Sequence, residues 1–386
     1  MLLHIRILLI IITLLTLPGA CSKRPTYTNI AGLGACGNGI QDRGEIGIDC
    51  GGNCPKICTN IRYLEGEIFR RLSLNPYNEY VVTGPFVIRD KASLEIPAGT
   101  RLKVQADAGA YIAVMQGGSI FAWGTAEQPI TITSNAPDPS PGDWGGLIVC
   151  GQAPIDQSVP SLSPLGYYYF GGKQQFDSSG YLKYVKIEYA GAAYDTLQNF
   201  NAVSFYGTGA YTSVDHLWID QTLGTAIEIN GGTMPLEKLY VTEGVNGVQI
   251  NGNWQARGAD WYLDANQQNG VSFFQSANSD HPTTPTSLHQ LKIANPGHSG
   301  LHFKGFPQSL QISGVLIDSA PLALDFDPFE SEDQWIENIQ LDHIFINNCT
   351  QVSNISYFNS LLNSQTNTAP ESLKQIPNWI KNWPVP

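Results

Sequence analysis

The sequence predicts an all-β protein, a right-handed parallel β-helix solenoid with a small disulfide-rich N-terminal module and a C-terminal cap. Three observations predict it. First, from Tyr184 to Asn347 an apolar–x–apolar strand core recurs at Val185-Lys186-Ile187, Leu217-Trp218-Ile219, Leu239-Tyr240-Val241, Trp261-Tyr262-Leu263, Leu291-Lys292-Ile293, Val315-Leu316-Ile317 and Ile344-Phe345-Ile346. Second, another series is interleaved with it: Val203-Ser204-Phe205, Ile227-Glu228-Ile229, Val248-Gln249-Ile250, Val271-Ser272-Phe273, Leu301-His302-Phe303 and Leu324-Asp325-Phe326. Steps within each series run from about 21 to about 32 residues, the range in which a period marks a solenoid. Third, no helical 3.6 periodicity runs through the segment, and β-branched and aromatic residues fill the strand positions.

In each strand the flanking apolar residues share one face and the middle residue takes the other. A single repeat cannot bury its apolar face, whereas stacked coils can, by pairing each strand in parallel with the one below. The expected hand of such crossovers is right. An antiparallel sandwich also has closely spaced strands, but it does not predict two interleaved ladders in preserved register. Links such as Leu223-Gly224-Thr225 and Gln268-Asn269-Gly270 carry turn formers. A chain with 39 glycines, 24 prolines and only 14% charged residues suits this turn-rich architecture. Its formal charge of −12 argues against nucleic acid, which requires a basic stripe, and leaves divalent cations, sugars and proteins as partners.

Taken in order, residues 1–20 read as a signal peptide. Arg6 precedes the apolar run Ile7 to Leu17, and small residues follow in Pro18-Gly19-Ala20-Cys21. The run is too short for a comfortable membrane span. A cysteine directly after Gly19-Ala20 resembles the bacterial lipobox, with Pro18 departing from the aliphatic residue usual there. That resemblance implies that Cys21 becomes diacylated, palmitate being a typical chain, and tethers the mature protein to a membrane. Ser22 carries no acidic inner-membrane retention cue, which points to a cell-envelope, outer-membrane lipoprotein. Residues 21–35, polar and glycine-containing, form the tether.

Residues 36–58 place Cys36, Cys50, Cys54 and Cys58 within a loop too small for its own core. In an exported chain this even number predicts two disulfides, with three connectivities open. Zinc is the competing reading, but paired Cys-x-x-Cys knuckles are lacking. Asp42, Glu45 and Asp49 could supply hard oxygen ligands to calcium, or form a solvated acidic loop. No other cofactor is expected. The segment resembles a short module with the pattern Cys-x-Asn-Gly-x-x-Asp-x-x-Glu-x-x-x-Asp-Cys-Gly-Gly-x-Cys, common in exported proteins of Bacteroidota and myxobacteria.

Residues 59–358 are the expected β-helix. Its first coils run through Leu94-Glu95-Ile96, Leu102-Lys103-Val104, Ile112-Ala113-Val114, Ile120-Phe121-Ala122, Ile130-Thr131-Ile132 and Leu147-Ile148-Val149. Residues 151–181 are irregular and aromatic, and read as a loop lying on the solenoid. Four ordered motifs here are similar to a family of Bacteroidota exported β-helix lipoproteins of the pectin-lyase-like architecture. They are the stretches Leu94 to Thr100, Gly118 to Ser134, Gly142 to Ile155 and Tyr181 to Gly191. The resemblance implies a right-handed parallel β-helix and carries no reaction. Relatives often hold acidic pairs in the following coils, where this chain has Gly224-Thr225 and Asn246-Gly247 and keeps Glu228.

Glycan hydrolases and lyases occur on this architecture, but fold does not establish function. The outward residues of the second ladder are Ser204, Glu228, Gln249, Ser272, His302 and Asp325. Glu228 and Asp325 are four coils apart, about 19 Å at the strand spacing. A glycosidase pair needs about 5–9.5 Å. His302 and Asp325 lie on adjacent coils, within reach of a hydrogen bond. Gly297-His298-Ser299-Gly300 resembles the Gly-His-Gly of pectinolytic hydrolases, without the accompanying Asp-Asp pair. On the first ladder the outward residues Trp218, Tyr240 and Tyr262 occupy three consecutive coils and should form an aromatic strip. Exposed, the strip is a platform for sugar rings or an apolar partner; covered by a loop such as 151–181 or 275–288, it is a second core. Cys150 and Cys349 read as buried small apolar residues. In the cap, residues 359–386, Ser372–Trp383 spaces its apolar residues as a short amphipathic helix.

The function expected from these features is a membrane-anchored, non-catalytic β-helix that binds a glycan or another envelope or extracellular component through Trp218, Tyr240 and Tyr262. One alternative is a polysaccharide hydrolase or lyase using Glu228, His302 or Asp325. A structural display spacer is the other.

Overall fold

The computed structural model describes residues 36–38, 40, 50, 54–56, 60–107, 109–156, 160–275, 285–305, 309–327, 332–363 and 368–383. The chain divides into two compact units, Met1–Cys58 and Thr59–Pro386. In the first, Cys36 is bonded to Cys54, and Cys50 is also disulfide-bonded. Cys21, Asp42, Glu45, Asp49 and Cys58 lie outside the described residues, as do the expected signal peptide and tether.

The second unit is a parallel β-helix. Among the described residues, 23 strands join one hydrogen-bonded set, and each pairs in parallel with strands one coil away. A separate antiparallel pair, Ser161–Leu162 with Tyr169–Phe170, lies in the loop after Cys150. Both expected ladders are present in register. Lys186, Trp218, Tyr240, Tyr262, Lys292, Leu316 and Phe345 are successive partners on one face. Ser204, Glu228, Gln249, Ser272, His302 and Asp325 are successive partners on another.

Each coil also has a third strand direction that the sequence reading did not foresee. The first-ladder strands, for example Ser213–Asp220, bend in mid-strand. The bend falls at Tyr184, His216, Lys238, Asp260, Gln290, Gly314 and His343, stacked coil on coil with φ between 49° and 65°. Pairing skips this residue, so Lys183 partners Asp215 and Val185 partners Leu217. A second left-handed column, from Tyr189 and Gln221 to Asn348, closes the same strands at their far end. Left-handed backbone is costly outside glycine, and here only Gly314 among these corner residues of the first column is one.

The interior is a continuous apolar column. Leu94, Ile96, Leu217, Ile227, Leu239, Ile250, Leu291 and Leu301 are completely buried. Near the C-terminal end Phe273, Phe303, Phe326 and Phe358 stack with centroids 5.1, 4.6 and 4.8 Å apart and nearly parallel planes. This matches the strand spacing, so each ring repeats the packing of the one below. Phe358 belongs to helix α2 (Ser356–Asn363), which follows α1 (Glu332–Asn338) and sits on the last coil. The single amphipathic helix expected over Ser372–Trp383 is instead two one-turn helices, α3 (Glu371–Lys374) and α4 (Asn378–Lys381). Pro377 separates them: a proline disfavours helical backbone in the preceding residue, and the chain is already extended at Gln375, with ψ 153°.

Candidate functional site

Two faces of the solenoid carry chemistry. On the first-ladder face the aromatic strip exists, with centroids 5.2 Å apart for Trp218–Tyr240 and 5.5 Å for Tyr240–Tyr262. It is covered by a segment that neither expected loop includes; of those loops, residues 276–284 lie outside the described residues. The segment after Pro370 runs back over it. Trp383 meets the edge of Trp218 at 5.9 Å, and Trp379 meets His216, itself stacked 4.0 Å from Tyr184. Lys186 Nζ lies over the Trp218 ring, 3.7 Å from its centroid, and the indole Nε1 donates to Thr242 Oγ1 at 3.2 Å. Lys186 is itself buried, paired with Glu188 at 2.5 Å and Asp220 at 3.1 Å. Trp218 and Tyr240 are thus half-buried and Tyr262 is buried.

The cover does not close everywhere. Between the C-terminal segment and the ladder is a cleft of about 410 Å³, lined by Tyr262, Phe345, Gln290, Lys292, His343 and Trp379 among others. Lys292 fastens one edge: its Nζ donates to the Lys374 carbonyl at 2.8 Å and lies 4.9 Å from the Tyr262 ring centre. Burial, reinforced by Asp264, pushes the Tyr240 and Tyr262 phenols up to about 12, so both stay neutral donors. Aromatic surface beside amide, ammonium and imidazole groups can stack on a ring while hydrogen-bonding its substituents.

A solvent-facing aromatic group lies on the third face. Phe121 and Trp123 stack at 5.8 Å, with Tyr181 at 5.2 and 5.0 Å, and Trp123 is 42% exposed. One outward residue per strand does not reveal this group, because Phe121 and Trp123 are two residues apart on the same face.

On the second-ladder face Glu228 is not part of an open polar surface. It is 8% exposed and held from three sides. Its Oε2 accepts from Tyr206 Oη at 2.6 Å and Asn201 Nδ2 at 2.5 Å, and its Oε1 accepts from Asn251 Nδ2 at 2.5 Å. Desolvation pushes its carboxyl above the usual value, opposed by these three bonds. A pocket of about 400 Å³ opens beside it. Earlier coils of this face are sealed by the loop after Cys150: Tyr168 and Phe170 pack with Phe200 on Val87, Ala113 and Ile148. Cys150 is buried there, its thiol pushed up to about 12, while Cys349 is only half-buried, its Sγ 3.7 Å from the Ile317 carbonyl.

Glu228 and Asp325 stay four register steps apart and do not meet. His302 bonds mainly to Asp327, which the sequence reading missed: Nε2 is 3.0 Å from Asp327 Oδ1 and 3.8 Å from Asp325 Oδ2. Asp325 is shared with His298 at 3.6 Å and accepts from Asn354 Nδ2 at 3.0 Å; Lys304 reaches Asp327 at 3.7 Å. Among the described residues no group of three or more His, Cys, Asp or Glu side chains is placed to hold a metal ion.

A family model described as a pectate-lyase-like beta helix domain matches residues 66–384. No curated protein matches the chain. Among solved structures, PfbA, a surface adhesin of Streptococcus pneumoniae, aligns with a TM-score of 0.40 and 10% identity over 77% of this chain and 83% of its own. The catalytic domain of a GH87 alpha-1,3-glucanase, in complex with tetrasaccharides, aligns with a TM-score of 0.32 and 12% identity over 73% of this chain and 62% of its own.

Proposed function

The chain belongs to the family of pectate-lyase-like β-helix domains, and on that premise we propose that it is a cell-envelope lipoprotein whose β-helix binds a glycan without cleaving it. The observation that carries the reading is the cleft under the C-terminal segment, where Tyr262, Phe345 and Trp379 offer ring surface beside Gln290, Lys292 and His343. The open Phe121–Trp123–Tyr181 group supports it with a second set of ring faces. Glu228 and Asp325, four coils apart, lie beyond the roughly 5–9.5 Å that a glycosidase acid pair spans. The anchoring half rests on the sequence from Arg6 to Cys21. No helix among the described residues is long and apolar enough to cross a membrane. Attachment in this reading is by the acyl chains of Cys21.

Two measurements test the two halves. On a glycan array and against envelope polysaccharide, the full chain should bind at least one glycan, and Trp379→Ala should weaken that binding about tenfold, roughly the loss of one stacked ring. Tyr262→Ala should act in the same direction. A wild-type protein that retains no glycan at all would sink the binding half. For the anchor, Cys21→Ser should abolish incorporation of labelled fatty acid and release the protein from the membrane fraction; unchanged fractionation would refute it. One second reading has an observation in its favour, the His302–Asp325–Asp327 cluster, where an imidazole sits between two carboxylates. Release of sugar from the same panel, abolished by Asp327→Ala, would establish it in place of the non-catalytic one.

A further inference from the structure

We infer that the pocket beside Glu228 is a second binding site, which takes one hydroxyl-rich unit without negative charge, such as a neutral sugar ring. It shares no lining residue with the cleft and does not depend on that reading. At about 400 Å³ it lies within the roughly 300–1,000 Å³ of small-molecule sites.

The pocket is built, not incidental. Its floor is the second ladder, through Ser204, Glu228 and Gln249 on three consecutive coils. Its walls are the turn at Ser163 and the loop from Tyr194 to Asn201. The turn is tied down where Ser163 N donates to the Tyr168 carbonyl at 2.7 Å, with Tyr168 buried in the second apolar cluster. The loop is tied down where Phe200 N donates to the Ala192 carbonyl at 2.8 Å.

Two groups in this wall and floor point to a ligand. Ser163 is 3% exposed and its Oγ has no hydrogen-bond partner, an unmet polar group that a ligand hydroxyl would satisfy. Glu228 is oriented by three neutral donors, and a carboxylate has about four acceptor sites, so its Oε1 retains capacity for one more donor. Tyr194, Phe200 and Tyr206 add ring surface for the apolar faces of a sugar. The charge pattern sets the class. No Lys or Arg is among the lining residues, so a uronate or phosphate would bring a second negative charge against a buried carboxylate with no cation to offset it.

Titration calorimetry on the full chain tests this with methyl glucoside, methyl galactoside, methyl mannoside and their disaccharides, against glucuronate as the anionic counterpart. At least one neutral sugar should bind saturably, and more tightly than glucuronate. Ser163→Ala should weaken it about three- to tenfold, the effect of one neutral hydrogen bond. Gln249→Leu should do the same, with the near-ultraviolet circular dichroism of both variants unchanged. The inference is overturned by the absence of saturable heat with every neutral sugar, by tighter binding of glucuronate, or by indifference to both substitutions. Binding that disappears in Trp379→Ala and persists in Ser163→Ala belongs to the cleft, and overturns it equally.

Discussion

Glu228 takes its hydrogen bonds from Tyr206, Asn201 and Asn251, all neutral, while its surroundings are nearly dry. Desolvation wins over the three bonds, so its carboxyl holds a proton to higher pH in the folded chain than in the unfolded one. The native state therefore binds more protons than the unfolded state as pH rises from the ordinary value of 4.5 through the raised one. The stability contributed by this group is complete below 4.5 and is lost across that window, at a slope of at most about 1.4 kcal/mol per pH unit. Denaturant titrations at a series of pH values should show a steeper decline in wild type than in Glu228→Gln; parallel curves would refute the assignment. The column position of Glu228 was legible from alternation alone. Its partners were not, although Tyr206 and Asn251 each stand two residues beyond Ser204 and Gln249, the flanking members of the column. Asp327 stands likewise beyond Asp325 and binds His302. In each case the same outward face has two usable positions per strand, and reading one of them missed the partner.

At the level of elements, the strands of both ladders were legible because inward and outward residues alternate and the period is long enough to stack. The bend that splits the first-ladder strands was not. Left-handed backbone is ordinarily announced by glycine, but the column from Tyr184 to His343 consists of Tyr, His, Lys, Asp, Gln and His with one glycine. Its cost is offset by parallel pairing on both sides of the bend, repeated in every coil, and no single residue records that. Gly258 shows the same kind of dependence. It takes an inward position in register with Leu236 and Leu288, and a Cβ there would lie 2.2 Å from the indole of Trp261. The glycine makes room for that indole, whose Nε1 donates to the Leu236 carbonyl at 3.0 Å. The C-terminal segment reads as amphipathic, and Ile380 and Trp383 are indeed buried and Leu373 and Trp379 half-buried, but Ile376 is exposed, and the two prolines at 370 and 377 confine helix to single turns.

For the whole molecule, each coil packs only on its neighbours, so stability is a chain of local terms with weak points at the ends. The ring stack of Phe273, Phe303, Phe326 and Phe358 ties the last coils to helix α2. Phe358→Ala should cost about 3–5 kcal/mol, the usual range for a buried phenylalanine. The loss should be local: hydrogen exchange should accelerate in Leu322–Phe326 and Gln351–Ser353 and stay protected in Ile227–Asn230 and Val248–Asn251. Uniform acceleration along the chain would contradict the nearest-neighbour picture. The same one-dimensional character explains what could be read in advance. Period and alternation are properties of neighbouring residues and of one repeat against the next, so they suffice for the solenoid, its ladders and the vertical partners of each outward side chain. What lies over a face is a different matter. Trp379 and Trp383 reach the strip from more than a hundred residues away along the chain, and Ser163 and Tyr194 close over Glu228 from loops without a period. Such contacts are chosen by shape and polarity in three dimensions, and they turned an expected open platform into a cleft and an expected open carboxylate into the floor of a pocket.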